Sequence, residues 1–499
     1  MTDLHGLTLV EQAAAVRARV VSPTELVDHH LRRIEESDGA LGAYRTVDAT
    51  GARRTARAAE ERLAGAGVGD DAGLPPLLGV PLSVKDTWPV AGLPVTAGSA
   101  AFDDRIAPAD AAVVAALRTA GGVLLGTTTA AEFGCSSYTE TTYATARTPY
   151  DLTRGAGGSS GGAAVSVAAG PTAGALGSDG GGSIRIPAAA CRVVGLKPSR
   201  GRVTPAPGTD ALGLATAGPL ARTVPDAALL LDVMAGATSG DACALPDVPT
   251  GSLRACAERE PGPLRIGIPP PADGWHPEAV LACRRTADLL AELGHRVEDA
   301  PPLDPDLYLP DFTVLWTVPA AAVPVPPERE NRLLPLTRRL RARGGGIDAV
   351  RLYTAMTSLT ATARAVGRRH DRFDAVLSPT TNQPPLPVGS LVDPDDPDDP
   401  DRTFARMLAV TPRTPLANIT GQPSISLPLH WTPDGLPIGV MLTARLHEEA
   451  LLLSLGAQLE RACPWHHHAA RQTATPRHAA VPQHSTPPAA TTRPERSNP

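Results

Sequence analysis

Residues 157–187 read GGSSGGAAVSVAAGPTAGALGSDGGGSIRIP. Two polar, glycine-flanked loops, residues 157–162 and 178–183, bracket one short apolar unit. Within that unit the pattern predicts a short helix over 163–169 and a buried strand over 172–177. Glycine has no Cβ, so such loops can bend tightly and approach a ligand closely. Three glycines before Ser183 can turn successive N–H groups toward one point, a concavity suited to a developing oxyanion. Linkers are also rich in Gly and Ser. Two such loops in register around an apolar strand are a poor match for linkers, which lack that filling.

The rest of the chain supports a layered α/β fold. Residues 1–75 read as helical, with capping boxes at Thr8–Glu11 and Ser22–Glu25, the second carrying Pro23 at the first helical position. The run 77–84 predicts a strand that delivers Lys85 and Asp86 at its end. A helix over 109–120 and a strand over 123–126 follow. Beyond the glycine loops come a helix over 186–191 and a strand over 193–196. Residues 264–299 form a strand–helix–strand unit, 347–369 a long helix and 375–377 a strand. A hairpin joins 424–431 to 436–443, and a helix over 448–461 closes the fold. Alternating strands and helices predict an α/β architecture with a mixed sheet.

Composition narrows the function classes. Length alone suggests about three domains at ~150 residues each, though large α/β enzymes often form one continuous unit. The net charge is −6 and the pI is near 6.1, with no basic stripe, which does not favour nucleic acid. Aromatic residues make up only 3%, too few for base-stacking platforms. Six scattered cysteines without a C-x-x-C pair read as reduced, mostly buried thiols of a cytosolic protein. The first residues lack the layout of a signal peptide. Residues 155–178 carry no charge, but nine Gly or Pro and five Ser or Thr argue against a membrane span. Six aspartates in 392–402 lack the order of a calcium loop and read as solvated. The Pro-, Thr- and His-rich segment beyond 470 reads as a disordered tail, and His466–His468 as an adventitious metal binder.

Three glycine motifs fail on context. No stretch fits a phosphate loop, and Ser160 stands where a dinucleotide fingerprint needs glycine. Residues 157–161 match G-x-S-x-G, but the polar run 147–156 before them is not the buried strand a nucleophile elbow requires. The reading that uses most features is a serine nucleophile with a lysine base. A serine hydroxyl is a poor nucleophile until a base takes its proton. Ser183 attacks, Ser159 relays the proton and Lys85, uncharged through burial, receives it. No histidine, metal or organic cofactor is needed.

At these residues the chain resembles the amidase signature family of serine hydrolases. GVPLSVKD (79–86), GGSSGG (157–162), GSDGGGSIRIPAAACRVVGLKPSRGRV (177–203) and NITGQPSISLPLHWTPDGLPIGVMLTAR (418–445) occur in the family's order and spacing. The resemblance covers roughly 1–470. It implies a single α/β/α sandwich around a large mixed β-sheet, divided into a helical N-terminal segment over 1–75, a signature core near 76–240 and a variable substrate side near 240–400. It implies a triad of Ser183, Lys85 and Ser159, the last after a cis peptide bond. The oxyanion hole would be the backbone N–H groups of Gly180, Gly181, Gly182 and Ser183, with Asp179 and Arg185 holding the loop. The chain departs from the family at Gly180 (usually Thr), Ala156 (usually Pro), Ala163 (usually Ser) and Thr127–Thr129 (usually Lys-Thr-Asn), none of them a catalytic side chain. The implied activity is hydrolysis of a small-molecule amide in the cytoplasm, with no nucleic acid or membrane partner and a homodimer left open. Two rivals stand beside it: the glutaminase subunit of a tRNA-dependent amidotransferase, and a non-catalytic binding protein on the same scaffold. Which amide is cleaved is not legible.

Overall fold

A computed structural model describes residues 4–66, 73–208, 211–302, 304–392 and 399–465. Eleven strands form one sheet: β1 (Tyr44–Val47), β2 (Pro81–Lys85), β3 (Val123–Thr128), β4 (Gly174–Asp179), β5 (Val194–Lys197), β6 (Thr216–Ala221), β7 (Arg265–Ile268), β8 (Arg296–Asp299), β9 (Ala375–Pro379), β10 (Ser424–Trp431) and β11 (Pro437–Ala444). Their spatial order is β1-β3-β2-β4-β6-β5-β10-β11-β9-β7-β8. β2 pairs in parallel with β3 and β4, and β7 with β8 and β9; the remaining pairings are antiparallel. The sheet is therefore mixed and continuous, and the prior of three separate domains from length fails.

Side chains alternate across a strand, so a sheet buried on both faces feeds two cores. On β4, Ala175 packs into one hydrophobic cluster and Leu176 into the other; on β3, Leu124 and Leu125 divide the same way. One cluster lies under the helices Val224–Met234, Pro277–Glu292 and Glu449–Ala462, the other under Pro23–Leu41, Ala49–Gly65 and Gly161–Ala168. This is the α/β/α sandwich. A third cluster, with Tyr308, Phe312, Leu315 and Leu359, comes from the helices Leu309–Ala322 and Ala349–His370.

Thr8 and Glu11 form the reciprocal capping box, while Ser22 accepts from the Glu25 N–H. Leu26, His30, Leu31 and Ile34 are buried on one helical face. Three readings need correction. The N-terminal segment is not wholly helical: β1 lies between its second and third helices and pairs with β3. β6, unanticipated, pairs with both β4 and β5 and joins the two halves of the sheet. Half of the cysteines are buried, Cys135, Cys191 and Cys283; Cys243 is exposed, and all six are free. No described helix is long and apolar enough to cross a membrane. The tail beyond 470, His466–His468 and most of the aspartate run fall outside the described residues; Asp399 caps the helix Pro400–Val410.

Candidate active site

β2 and β4 run parallel, with Val84 opposite Leu176. Their C-terminal ends thus emerge at one edge, which brings Lys85 beside Ser178 and Asp179. Parallel sheets commonly bind ligands at such an edge. Lys85 is completely buried. Its Nζ donates to Ser159 Oγ at 2.7 Å and to Ser178 Oγ at 2.9 Å. Burial brings its pKa down to about 7, with Asp179 and Cys135 acting in the opposite direction. The amine is therefore available in its neutral form near pH 7. β5 carries a second buried lysine, Lys197, also brought down to about 7, chiefly by burial. Its Nζ donates to the Pro198 carbonyl, so a lowered pKa alone does not mark the base.

Ser159 follows a cis Gly158–Ser159 bond and precedes Ser160, the N-cap of the helix Gly161–Ala168. The two glycine loops are stitched together: Ser160 N–H donates to the Ser183 carbonyl at 3.2 Å, and Ser160 Oγ to the Ser178 carbonyl at 3.2 Å. Ser183 is 5% exposed. Its hydroxyl takes part in no hydrogen bond among the described residues. Ser183, Ser159, Ser178 and Gly180 share the wall of a cavity of about 280 Å³. Lys85 and Ser159 are in direct contact, and Ser159 and Ser183 face the same hollow.

Asp179 organises the second loop. Its Oδ1 accepts from Gly182 N–H at 2.7 Å and from Asn418 Nδ2 at 3.0 Å. Arg185 donates to both carboxylate oxygens at 2.9 Å. Burial alone would raise this carboxyl, but the Arg185 charge and the Arg185 and Asn418 hydrogen bonds hold it far below the usual range. Thr414 Oγ1 donates to the Gly181 carbonyl at 2.6 Å. Gly182 has φ +124°, and a Cβ there would meet Thr414 Cβ at 2.6 Å, so only glycine fits. These bonds revise the expected donor set. The Gly182 N–H is engaged by Asp179, whereas those of Gly180, Gly181 and Ser183 are donated to no described protein acceptor.

Sequence reasoning did not single out Ser178, Thr414, Asn418 or Trp316. Ser178 was visible as a hydroxyl at the end of an apolar strand. The others lie more than 130 residues from the loop they touch. Trp316 lines the hollow beside Gly180, where a Cβ would meet its ring at 3.2 Å. The Gly180 departure therefore makes room for an indole. Among the described residues, no group of three or more His, Cys, Asp or Glu is arranged to hold a metal ion.

A large mixed sheet whose strand edge carries a lysine of lowered pKa, two serines and a glycine loop suits a hydrolytic enzyme. The family model Amidase matches residues 25–453, and the chain belongs to that family. A protein named as amidase AmiA2 of Mycobacterium tuberculosis is 39% identical over 474 residues, 92% of this chain and 93% of that one. One chain of the glutamyl-tRNA(Gln) amidotransferase of a Roseiflexus species is 34% identical, covering 93% of this chain and 98% of its own. Among solved structures, 6-aminohexanoate cyclic dimer hydrolase complexed with substrate superposes with a TM-score of 0.85 at 31% identity, over 94% of this chain and 99% of that one. A bacterial aryl acylamidase of the amidase signature family gives 0.84 at 26%, over 95% and 100%. The protein is an amide-hydrolysing enzyme.

Proposed function

We propose that hydrolysis runs through an acyl-enzyme on Ser183. What carries this reading is the 2.7 Å hydrogen bond between Lys85 Nζ and Ser159 Oγ in a fully buried site beside Ser183. Neutral Lys85 takes the Ser159 proton as Ser159 takes that of Ser183. Ser183 Oγ then bonds to the amide carbon, and the carbonyl electron pair moves onto oxygen. The N–H groups of Gly180, Gly181 and Ser183 stabilise that oxyanion. The C–N bond breaks as the proton returns from Lys85 through Ser159 to nitrogen, and ammonia or an amine leaves. Water, losing its proton to the same relay, cleaves the ester and frees a carboxylate and Ser183.

The substrate is a neutral amide with an apolar body. Leu212, Leu214, Leu315, Trp316 and Phe133 line the hollow, and no charged side chain does among the described residues. Free glutamine would leave its ammonium and carboxylate unpaired there, which separates this enzyme from an amidotransferase glutaminase. An aryl amide, the kind of substrate that the name of the aryl acylamidase neighbour points to, suits such a hollow. We further take residues 1–470 as one catalytic unit that works in the cytoplasm without nucleic acid or membrane, with a homodimer to be tested by light scattering.

A fluorophosphonate probe followed by peptide mass spectrometry tests the nucleophile. One adduct is expected on the Ser183 peptide, and none in Ser183→Ala, which folds but does not turn over. Labelling elsewhere, or substantial activity in that variant, would refute the assignment. Ammonia release from glutamine faster than cleavage of aryl and aliphatic amides would refute the substrate class.

A further inference from the structure

Arg413 is a buried cation without a counter-charge. It is 8% exposed, and its Nε meets no acceptor among the described residues. The groups acting favourably on its charge are Tyr308 and Cys283, neither of them a carboxylate. The guanidinium lies over the Trp275 ring, 4.8 Å from its centroid. The Trp275 indole Nε1 is likewise buried and without an acceptor. Arg413 and Trp275 both line a groove of about 860 Å³, within the range of small-molecule sites. The groove shares no lining residue with the hollow of about 280 Å³ at Ser183, and only Leu408 with a smaller cavity that also touches Ser183.

We propose that Arg413 and Trp275 form a second binding site, for a small organic monocarboxylate with an apolar body. A guanidinium without a counter-charge at the wall of an open groove calls for an anionic acceptor. The planar guanidinium fork matches a carboxylate. Cation–π contact eases the burial of Arg413 but gives its N–H groups no acceptor. A smaller cavity of about 40 Å³ behind Arg413, shared with His370, has room for a water. One water serves one or two of five N–H donors and carries no charge. Trp275, Pro270, Pro310 and Pro412 offer the groove an apolar wall. Asp273, Asp304 and Asp306 also line it, with Arg369 as a second cation; the three carboxylates outnumber the two guanidiniums and repel a dianion more than a monoanion, which selects a monocarboxylate over phosphate. The site lies one residue from Thr414, which holds the Gly181 carbonyl.

Isothermal titration of the full-length enzyme with benzoate, acetate and inorganic phosphate at constant ionic strength tests this, comparing wild type with Arg413→Met and Trp275→Phe. Wild type is expected to bind benzoate saturably and more tightly than phosphate. Arg413→Met should lose at least tenfold in affinity, while Trp275→Phe, which keeps an aromatic wall and the ring under the guanidinium, should bind within a few-fold of wild type. Without carboxylate, Arg413→Met should melt no lower than wild type, because it removes an uncompensated buried charge. Benzoate should raise the Tm of wild type and not of Arg413→Met. Equal benzoate affinity in wild type and Arg413→Met overturns the site. So does a preference for phosphate, no binding at millimolar benzoate, or a lower Tm in Arg413→Met with no carboxylate effect on wild type.

Discussion

At the scale of single residues, burial equips Lys85 for the proposed role of base. Its folded pKa of about 7 lies well below the ordinary lysine value. Below pH 7 the amine is protonated and cannot accept from Ser159; above it the lone pair is free. The value of kcat/KM should therefore rise through a transition near pH 7 and level off on the alkaline side, in a pH–rate profile on a neutral amide. A flat profile from about pH 5 to about pH 9 would exclude the lysine base. Lys85→Met should lower kcat by about 100- to 10,000-fold, the usual contribution of a general base, with little change in circular dichroism. Gly182→Ala introduces a side chain where φ is +124° and Thr414 crowds the site. Its kcat should fall sharply, read by the same assay, because the loop must shift and its N–H donors move with it.

At the scale of elements, the glycine loop after β4 is held from outside itself. Asn418 Nδ2 donates to the Asp179 carboxylate and to the Asp179 and Leu214 carbonyls, and Asn418 Oδ1 accepts from Arg185. The helix Thr414–Thr420 therefore clamps the end of β4. Thr414→Val removes the hydroxyl that holds the Gly181 carbonyl at nearly constant volume. Misplacing one oxyanion donor costs about 3 kcal/mol of barrier, so kcat should fall up to about 100-fold with KM nearly unchanged. An equal rise in KM would assign Thr414 to substrate binding instead. These clamps were not legible. Periodicity shows where a helix or strand runs, and the strand–helix–strand unit at 265–299 was read correctly on that basis. It says nothing of which polar group meets a loop more than 200 residues away. β1 was missed for a related reason: four residues between helices carry little pattern of their own, and pairing with β3 supplies the rest.

At the scale of the whole molecule, one continuous sheet separates two cores and leaves buried acids between its helices. Glu460, on the closing helix, accepts from the Val224 N–H, and its carboxyl is pushed up to about 8, chiefly by burial. The folded state thus holds this proton more tightly than the unfolded chain, whose carboxyl titrates near 4.3. Its contribution to stability is complete below about pH 4 and is lost as pH rises toward 8. Glu460→Gln keeps an acceptor for Val224 and removes the titration, so its Tm should fall less than that of wild type between pH 5 and pH 8 by calorimetry. A steeper fall in the variant would reverse the assignment. The amino-acid sequence by itself determined the local make-up of the candidate site: two glycine loops around an apolar strand, serines at 159 and 183, and a lysine at a strand end. Those are local features, set by backbone freedom and side-chain alternation, and local order along the chain records them. Only the tertiary structure decided which N–H groups of the glycine loop stay unengaged, which helix clamps the loop, that an indole fills the space beside Gly180, and that Arg413 is buried without a counter-charge. Each of these depends on atoms brought together across most of the chain, and spacing along a sequence carries no record of such contacts.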